Sequence, residues 1–307
     1  MSTQVARDWE SRFTNWKGKA SESEQDRYER TCRAIDQALR SSSALDDYTF
    51  KVYPKGSYPN FTNVVADSDV DIAVELTTFF QNRFIHRAEG LGLADVGITP
   101  YTGDATLGGF KDDVERALKA YFGDGAVDRG GKAIRIAENT GRLPADVVPC
   151  VTERTWTDVG QFHEGIRLQN DRDRNEWIVN YPIQHLEEGK RKNTATSKRY
   201  KRVVRILKRL ENKMVAEGVI EAVPSFLIES LVWNTPDPKF EASTWSGRVQ
   251  NALAHAYNET RSPECFRSND WLEANAQKFL FYDGQNWGYQ EAHAFAAAAW
   301  QYIGYPD

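Results

Sequence analysis

Apolar and polar residues alternate along the segment VDIAVEL, which begins at Val70. A period of two predicts a β-strand, because successive side chains of a strand point to opposite faces of its sheet. One face of this strand is apolar and consists of Val70, Ile72, Val74 and Leu76. The other face begins with Asp69 and Asp71, so the strand is predicted to bury one side and to crowd carboxylates on the other.

The segments around this strand alternate between helical and extended patterns. Apolar residues at three- and four-residue spacing predict helices over 21–39 and 112–122. Strands are predicted for FKVYPKG, KAIRIAE, PADVVPCV and EWIVNYP, and a turn at 139–141 joins the second of these strands to the third. This order of helix, strand, helix and further strands indicates an α+β fold.

After residue 193 the pattern becomes helical throughout. The stretch 200–214 carries apolar residues at helical spacing, and the same holds for SFLIESLVWNT, WSGRVQNALAHAYNE, SNDWLEANAQKFL and YQEAHAFAAAAWQYI. We therefore expect two domains. Residues 1–189 are predicted to form an α+β core braced by a helix near the N-terminus, and residues 190–307 are predicted to form a helical lobe.

Composition narrows the class of protein. The chain has 307 residues and a hydrophobic content of 40%, which is typical of a globular protein of one or two domains. Its three cysteines lie far apart without a C-x-x-C pair, which argues against a disulfide framework and a structural zinc site. No export signal or membrane span is visible in the sequence, so we expect a cytoplasmic protein with no membrane partner.

The charge distribution indicates one local anion site. The net charge of −5 argues against non-specific binding of nucleic acid by the surface as a whole. However, eleven of the 39 basic residues fall between Lys190 and Lys213. Such a cluster on an acidic protein predicts a focused anionic ligand.

Three carboxylates, those of Asp69, Asp71 and Asp146, are candidate metal ligands. Asp69 and Asp71 open the alternating strand, and Asp146 stands at the start of the apolar segment PADVVPCV. If the two strands are neighbours in one sheet, the three side chains converge. Oxygen ligands of this kind suit two magnesium ions, with manganese as a substitute. The alternative is that each is an ordinary turn residue at the entry to a strand.

Several other polar residues are given structural roles. Asp67 is predicted to organise its loop, and Asp112 and Asp113 are predicted to cap a helix. The five histidines show no metal-ligand spacing. His163 and His185 are interpreted as loop residues.

Gly56 and Ser57 lie upstream of the carboxylates. A small Gly-Ser turn lets backbone N–H groups and a hydroxyl approach phosphate oxygens. Together with a pair of metals that clamps the attacking and leaving oxygens at phosphorus, the turn indicates nucleotidyl transfer.

Five segments together resemble the bacterial cyclic-oligonucleotide synthases called CD-NTases, which are relatives of cyclic GMP-AMP synthase and oligoadenylate synthase. The segments are GSYPNFTNVVADSDVDIAVEL, LPADVVPC, WIVNYP, YKRVVRILKRL and PSFLIESLVWNTP, in the order of the family. The resemblance implies a polymerase-β-like palm and a C-terminal helical lobe, with the active site in the cleft between them. It also implies that Asp69, Asp71 and Asp146 bind the metals, and that Gly56 and Ser57 hold the triphosphate.

The resemblance extends to two residues of the helical part. Lys201 matches a lysine that contacts the donor triphosphate, and an ammonium neutralises phosphate without demanding bidentate geometry. Ser225 matches a serine near the same phosphates. Because Ser225 follows a proline, a plain helix N-cap is the alternative.

The segment WIVNYP resembles the CdnE clade most closely. In that clade an asparagine of this motif faces the base and favours a pyrimidine, and Asn180 takes its place here. A carboxamide offers both a donor and an acceptor to a uracil edge, although Asn180 is alternatively a strand-end residue. The resemblance thus implies that ATP and UTP are joined into a uridine-containing cyclic dinucleotide. Such a product is a messenger in anti-phage defence, read by a separate effector protein.

Two other functions are compatible with the same acids. One is a nucleotidyltransferase that modifies an RNA, a protein or a small molecule, and the other is a non-catalytic nucleotide- or RNA-binding protein. Intact acids at all three positions argue against the second. The sequence has no Cys/His insertion like the one with which the animal DNA sensor grips double-stranded DNA, so no duplex nucleic acid activator is expected.

Overall fold

The computed structural model describes residues 3–64, 69–268 and 270–306. The chain divides into two compact units. The sheet unit comprises Ser21–Pro59 and Ser68–Ile183, and the helical unit comprises Met1–Ala20, Asn60–Asp67 and Gln184–Asp307. The predicted domain boundary after residue 189 stays a prediction. In the structure, the sheet unit ends at Ile183 and the last segment of the helical unit begins at Gln184. Asp67, which was predicted to organise a loop, lies outside the described residues.

The sheet unit is built on a mixed sheet. Its strands in the described residues are β1 (Phe50–Pro54), β2 (Val70–Phe84), β3 (Val127–Arg129), β4 (Ile134–Ile136), β5 (Ala145–Asp158), β6 (Gln161–Gln169) and β7 (Trp177–Asn180). The strand order is β1-β2-β5-β4-β3, and β6 pairs with both β5 and β7. β2 and β5 are parallel, whereas the other pairs are antiparallel. The two strands that carry the candidate acids are therefore direct neighbours.

Strand β2 is buried on both faces in its first half. Val70, Ile72, Val74 and Leu76 are buried in a core that includes the helices α2 (Glu22–Arg40) and α3 (Leu107–Phe122). Burying each such side chain contributes about 1.5–3 kcal/mol. On the other face, a smaller cluster contains Ala73, Val148, Cys150, Ile166 and Leu168. Both faces hold β2 and β5 firmly in place where the acids begin.

Each of the two helices that cover the sheet has a side-chain cap at its N-terminus. The side chain of Ser21 accepts a hydrogen bond from Glu24 N–H at α2, and Thr106 accepts one from Gly109 N–H at α3. The helix predicted to begin at residue 112 therefore begins earlier, and the capping role given to Asp112 and Asp113 is wrong. The glycine pair in the first turn of α3 concealed its start, since glycine is a weak helix former.

Both aspartates of α3 instead make ion pairs and hydrogen bonds within the sheet unit. Asp112 pairs with Arg129, and Asp113 accepts a hydrogen bond from the hydroxyl of Tyr48 at 2.9 Å. These contacts tie α3 to its surroundings rather than to its own N-terminus.

The helical unit has a core of its own. Its helices in the described residues are α1 (Thr3–Trp16), most of α4 (Pro182–Ala195), α5 (Tyr200–Ala216), α6 (Ser225–Asn234), α7 (Trp245–Glu259), α8 (Pro263–Arg267) and α9 (Tyr289–Ile303). The helix α5 lies in this core through Tyr200, Val203, Ile206, Leu207, Leu210 and Met214. The helices predicted over 245–259 and 289–303 are confirmed with the same bounds. Among the described residues, no helix is both long enough and apolar enough to cross a bilayer.

The sequence analysis missed one helix, and two further expectations about local structure are wrong. Helix α1 was not predicted, although its Trp9 and Phe13 are buried in the helical core. The segment SNDWLEANAQKFL was predicted as a helix, but its described residues form turns and a bridge between Leu272 and Phe279. His163 lies in β6 and His185 in α4, so neither is a loop residue.

Helix α1 caps another helix of its own unit. The carboxylate of Glu10 accepts hydrogen bonds from the backbone N–H groups of Trp245 at 2.9 Å and Ser246 at 2.7 Å. These are the first residues of α7, where a negative charge also complements the helix dipole. Glu10→Ala is expected to lower the free energy of unfolding of the helical unit by about 1–2 kcal/mol in urea titrations.

Asp8→Ala is the matched control for this prediction. Asp8 lies on the same helix, and its side chain pairs with Arg12 on the surface. An exposed pair of this kind contributes at most about 1 kcal/mol, and less in most proteins. Equal losses for the two variants would contradict the capping role of Glu10.

Candidate active site

The parallel pairing of β2 and β5 brings two candidate acids side by side. Asp71 and Asp146 are partners in register, so their backbones are about 4.8 Å apart. Asp69 immediately precedes β2. The pKa of Asp146 is raised by its burial and by the negative charges of Asp69 and Asp71. The structure therefore brings the three predicted carboxylates within electrostatic reach of one another.

Two cations compensate these carboxylates. The ammonium of Lys55 lies 3.2 Å from Oδ1 of Asp71. The guanidinium of Arg135 lies 3.7 Å from Asp146 and 3.9 Å from Asp69. The sequence analysis did not identify either cation as a site residue. The sequence signal for Lys55 was its position directly before Gly56, whereas the register that sets Arg135 opposite Asp146 is visible only in the structure.

The three acids suit a divalent cation in chemistry and in charge. Among the described residues, no group of three or more acidic, histidine or cysteine side chains is arranged to hold a metal ion as it stands. In this arrangement Lys55 and Arg135 supply the positive charge that the carboxylates require. Carboxylate oxygens are the ligands that magnesium prefers. A metal ion would therefore take over charge compensation from these two side chains.

The turn at Gly56 fits closely against Asp71. Gly56 has a φ of 75°, which L side chains rarely adopt, and a Cβ at this position would lie 2.6 Å from Oδ2 of Asp71. The backbone N–H of Lys55 also donates to the carbonyl of Asp71. Glycine is thus required at this position, because other residues rarely adopt this φ and because a Cβ would collide with Asp71. Ser57 follows it in the same turn, partly exposed.

A further acid of the alternating strand lies outside this group. Glu75 is buried, and its carboxylate accepts hydrogen bonds from Tyr53 at 2.8 Å and from Thr152 at 2.6 Å. Both of its oxygens are satisfied by hydroxyl groups. The acidic face of β2 therefore contains metal-ligand candidates at its start and a hydrogen-bonded structural glutamate beyond them.

Asn180 lies on the same face of the sheet as Asp146. Thr152 of β5 pairs with Ile166 of β6, and Ile166 pairs with Asn180 of β7. Paired residues share a face, and so do alternate residues of one strand. Six residues along β5 separate Asp146 from Thr152, about 20 Å at the usual rise. Asn180 is therefore too far from the acids to contact the same phosphate oxygens.

Lys201 is a buried lysine without a carboxylate partner among the described residues. Three other lysines are similarly buried, and each has one: Lys111 with Asp171 at 2.8 Å, Lys192 with Asp237 at 2.7 Å and Lys208 with Glu229 at 3.0 Å. The ammonium of Lys201 contacts the amide oxygen of Asn60 at 3.5 Å. Burial lowers the pKa of Lys201 to about 8. Such an ammonium is suited to an anionic ligand.

Ser225 is exposed at the first position of α6. The cap residue is Pro224, and no side chain caps this end of the helix. The N-cap alternative for Ser225 is therefore not supported. Backbone N–H groups at a helix N-terminus favour negative charge. The hydroxyl of Ser225 stands beside them.

A comparison with known families decides which family this chain belongs to. The profile described as the cGAS/DncV-like nucleotidyltransferase C-terminal helical domain matches residues 187–304. The cyclic dipyrimidine nucleotide synthase CdnE of Legionella pneumophila is 36% identical over 96% of this chain and 98% of its own length. The chain belongs to the CdnE group of cGAS/DncV-like nucleotidyltransferases.

Solved structures of the CdnE group share the fold. The Rhodothermus marinus CdnE c-UMP-AMP synthase with Apcpp and Upnpp has a TM-score of 0.81 at 28% identity, covering 97% of each chain. The Elizabethkingia meningoseptica CdnE cyclic dinucleotide synthase with GTP and Apcpp has a TM-score of 0.79 at 28% identity, covering 96% of this chain and 99% of that one. The predicted fold class and the expectation of an enzyme are confirmed. The roles of the individual site residues stay predictions.

The fit of Gly56 against Asp71 gives a direct test. Gly56→Ala is expected to reduce nucleotidyl transfer by about a hundredfold, because the new methyl group displaces Asp71 by close to an ångström. The measurement is pyrophosphate release from nucleoside triphosphates. Gly108→Ala is the control, because a Cβ there meets no atom within 4 Å and its φ is ordinary. If both variants keep the parental rate, the close fit at Gly56 has no catalytic importance.

Proposed function

We propose that this enzyme joins two nucleoside triphosphates into a cyclic dinucleotide with release of pyrophosphate, using two divalent metal ions held by Asp69, Asp71 and Asp146. The observation that carries the proposal is the in-register pair of Asp71 and Asp146 on adjacent parallel strands, with Asp69 beside them. Full-length similarity to CdnE synthases supports the reaction class.

The proposed reaction consists of two equivalent displacements. A ribose hydroxyl oxygen of one nucleotide attacks the α-phosphorus of the other, the bond to the bridging oxygen breaks, and pyrophosphate leaves. The hydroxyl proton passes to solvent. The linear product then reacts in the same way to close the ring. Metal ions, when bound, lower the pKa of the attacking hydroxyl and neutralise the phosphates.

Residues of this chain supply the positioning. The three aspartates fix the place of the α-phosphate, and the Gly56 turn offers backbone N–H groups and the Ser57 hydroxyl to phosphate oxygens. We assign Lys201 and Ser225 to binding of the triphosphate. The phosphates would supply the negative charge that no carboxylate of the described residues supplies in an ion pair to the buried ammonium of Lys201. Lys55 and Arg135 offset the negative charge of the carboxylates before the metals bind.

We assign the choice of base to Asn180. Its amide offers one donor and one acceptor, which matches the edge of uracil. Its position on the same face of the sheet as Asp146 supports this assignment. The relatives differ in the nucleotides named for them, since one structure holds Apcpp and Upnpp and another GTP and Apcpp. We therefore propose a uridine-containing product, made from UTP with ATP or a second UTP, that acts as a messenger in anti-phage defence.

The main test is incubation of the purified protein with all four ribonucleoside triphosphates and magnesium or manganese, followed by phosphatase treatment and mass spectrometry. A phosphatase-resistant cyclic product containing uridine is expected, because a ring has no terminal phosphate. Asp69→Asn/Asp71→Asn is expected to form none. Asp128→Asn, an exposed acid on β3, which β4 separates from β5, is the matched control and is expected to keep full activity.

The outcomes of this test separate the parts of the proposal. A purine-only ring would preserve the cyclase and disprove the assignment of Asn180. Transfer of a nucleotide only onto an added RNA, protein or small molecule would replace cyclisation by the alternative transferase. Full activity of the double variant would disprove the metal assignment.

The buried ammonium of Lys201 predicts a pH dependence of nucleotide binding. Because the pKa of Lys201 is lowered to about 8, the ammonium is charged below this pH and becomes neutral as the pH rises through it. Affinity for a nucleoside triphosphate, measured calorimetrically from pH 6.5 to 9.5, is therefore expected to fall above pH 8. Lys201→Arg is expected to lose this dependence, since a guanidinium stays charged.

Lys198→Met serves as the control for the pH series. Lys198 is exposed and belongs to the same basic segment, so it tests the general effect of losing one positive charge. The control is expected to keep the decline above pH 8. A flat profile in the parental protein would argue against contact between Lys201 and phosphate.

A further inference from the structure

A chain of hydrogen bonds connects Lys201 to a buried carboxylate within the helical unit. Nζ of Lys201 contacts Oδ1 of Asn60 at 3.5 Å, and Nδ2 of Asn60 lies 3.2 Å from Nδ1 of His185. Nε2 of His185 lies 2.9 Å from Oε1 of Glu229. All four side chains are buried. None of these contacts beyond Lys201 has a role in the reaction described above.

The chemistry of each group fixes the direction of every hydrogen bond. An ammonium only donates, so the oxygen of Asn60 accepts from Lys201 and its NH₂ group faces His185. Nδ1 of His185 must then accept, which places the imidazole proton on Nε2, where it is donated to Glu229. Burial alone would raise the pKa of Glu229, but Lys208 and His185 hold it well below its usual range. The carboxylate at the end of the chain is therefore ionised.

Further contacts fix Glu229 and the segment that carries Asn60. The second oxygen of Glu229 accepts from the hydroxyl of Thr62 at 2.8 Å and from Lys208 at 3.0 Å. Arg205 donates to the carbonyl of Phe61 in the segment that carries Asn60. Both carboxylate oxygens are thus occupied. The segment after Asn60 is held at two points.

Helix α4 leaves space for Asn60 only because residue 189 is glycine. A Cβ at Gly189 would lie 2.6 Å from Oδ1 of Asn60 and 3.6 Å from Cε of Lys201. Gly189 is within the helix, where glycine is less favourable than alanine by about 1 kcal/mol. The glycine that allows the amide of Asn60 to approach Lys201 therefore makes helix α4 less stable than an alanine would.

We propose that Asn60, His185 and Glu229 are positioning residues that aim the ammonium of Lys201 at the triphosphate while leaving its charge available to it. An amide directs the ammonium through one hydrogen bond without neutralising it. A carboxylate in the same place would form an ion pair and compete with phosphate. Glu229 instead acts through the imidazole of His185 and the amide of Asn60. The inference rests on the proposed contact between Lys201 and the triphosphate.

Asn60→Asp is the discriminating variant, because it keeps the shape of the side chain and changes its charge. The new carboxylate is expected to raise the pKa of Lys201, and ATP binding at pH 7.5 is expected to weaken about tenfold, as for a loss of one strong charge interaction. The decline of affinity above pH 8 should move to higher pH. Other charged groups that act on Lys201 are Glu229, Lys190, Arg205 and Lys19, and none of them is changed.

Two variants accompany it. Gly189→Ala pushes the Asn60 oxygen away and is expected to weaken ATP binding without adding charge. Asn258→Asp, an exposed position on α7, is the matched control for the same chemical change and is expected to bind ATP as the parental protein does. Thermal unfolding of each variant distinguishes loss of positioning from loss of fold.

The pKa of Lys201 itself is followed by ¹³C NMR of the full chain labelled at lysine Cε, with Lys201→Arg identifying the resonance. If Lys201→Arg and Lys201→Met leave ATP binding unchanged, the proposed contact between Lys201 and phosphate is disproved. The NMR titration of Lys201 then decides by itself whether Asn60 acts on the ammonium. A raised pKa of Lys201 in folded Asn60→Asp supports the chain. An unchanged pKa, or unchanged ATP affinity in Asn60→Asp while Lys201→Met binds weakly, overturns it.

Discussion

The repulsion between carboxylates on adjacent strands is the constraint on which the rest of the sheet unit depends. Hydrogen bonding between β2 and β5 sets Asp71 beside Asp146, and no rotation of either side chain removes the two charges from each other's field. The arrangement persists because the apolar face from Val70 to Leu76 and the small cluster around Cys150 bury both strands. Hydrophobic burial thus holds in place an electrostatic arrangement that is unfavourable by itself, and Lys55 and Arg135 offset the remaining charge.

The cations of the candidate site differ between the two units in whether a carboxylate pairs with them. In the sheet unit, Lys55 and Arg135 pair with the acids, so a metal ion bound as proposed would replace them as the source of positive charge. In the helical unit, Lys201 is buried with an amide as its contact and no carboxylate partner among the described residues, whereas Lys208, two turns along the same helix, has the ion pair with Glu229. An uncompensated ammonium is unfavourable in the ligand-free protein, and an anion relieves that cost on binding. The buried ammonium of Lys201 thus lowers the stability of the ligand-free protein and favours binding of an anion.

Much of this arrangement was predictable because it is local or periodic. The alternation after Asp69 determined the faces of β2, and the acid before the apolar stretch at Asp146 identified the neighbouring strand. The chain of Asn60, His185 and Glu229 was not predictable, since its members are widely separated in sequence and each is unremarkable alone. His185 in particular was interpreted as a loop residue, because its helix has a weak apolar stripe. Helix α1 was missed for a related reason: its Trp9 and Phe13 are buried by tertiary packing, which local propensity does not reveal.

The site residues of the sheet differ in how strongly their strands constrain them. Two of the acids lie on strands with more than one neighbour in the described sheet, whereas Asn180 lies on a strand with one. Asp71 and Asp146 lie on β2 and β5, which are paired with each other and, in the described sheet, with one and two further strands, so displacing either disturbs its neighbours. Asn180 lies at the end of β7, which pairs with β6 alone among the described strands. A substitution there is expected to leave the spacing of the acids unchanged. If Asn180 contacts the base as proposed, the same sheet keeps one reaction while a change on β7 alters the base that is accepted.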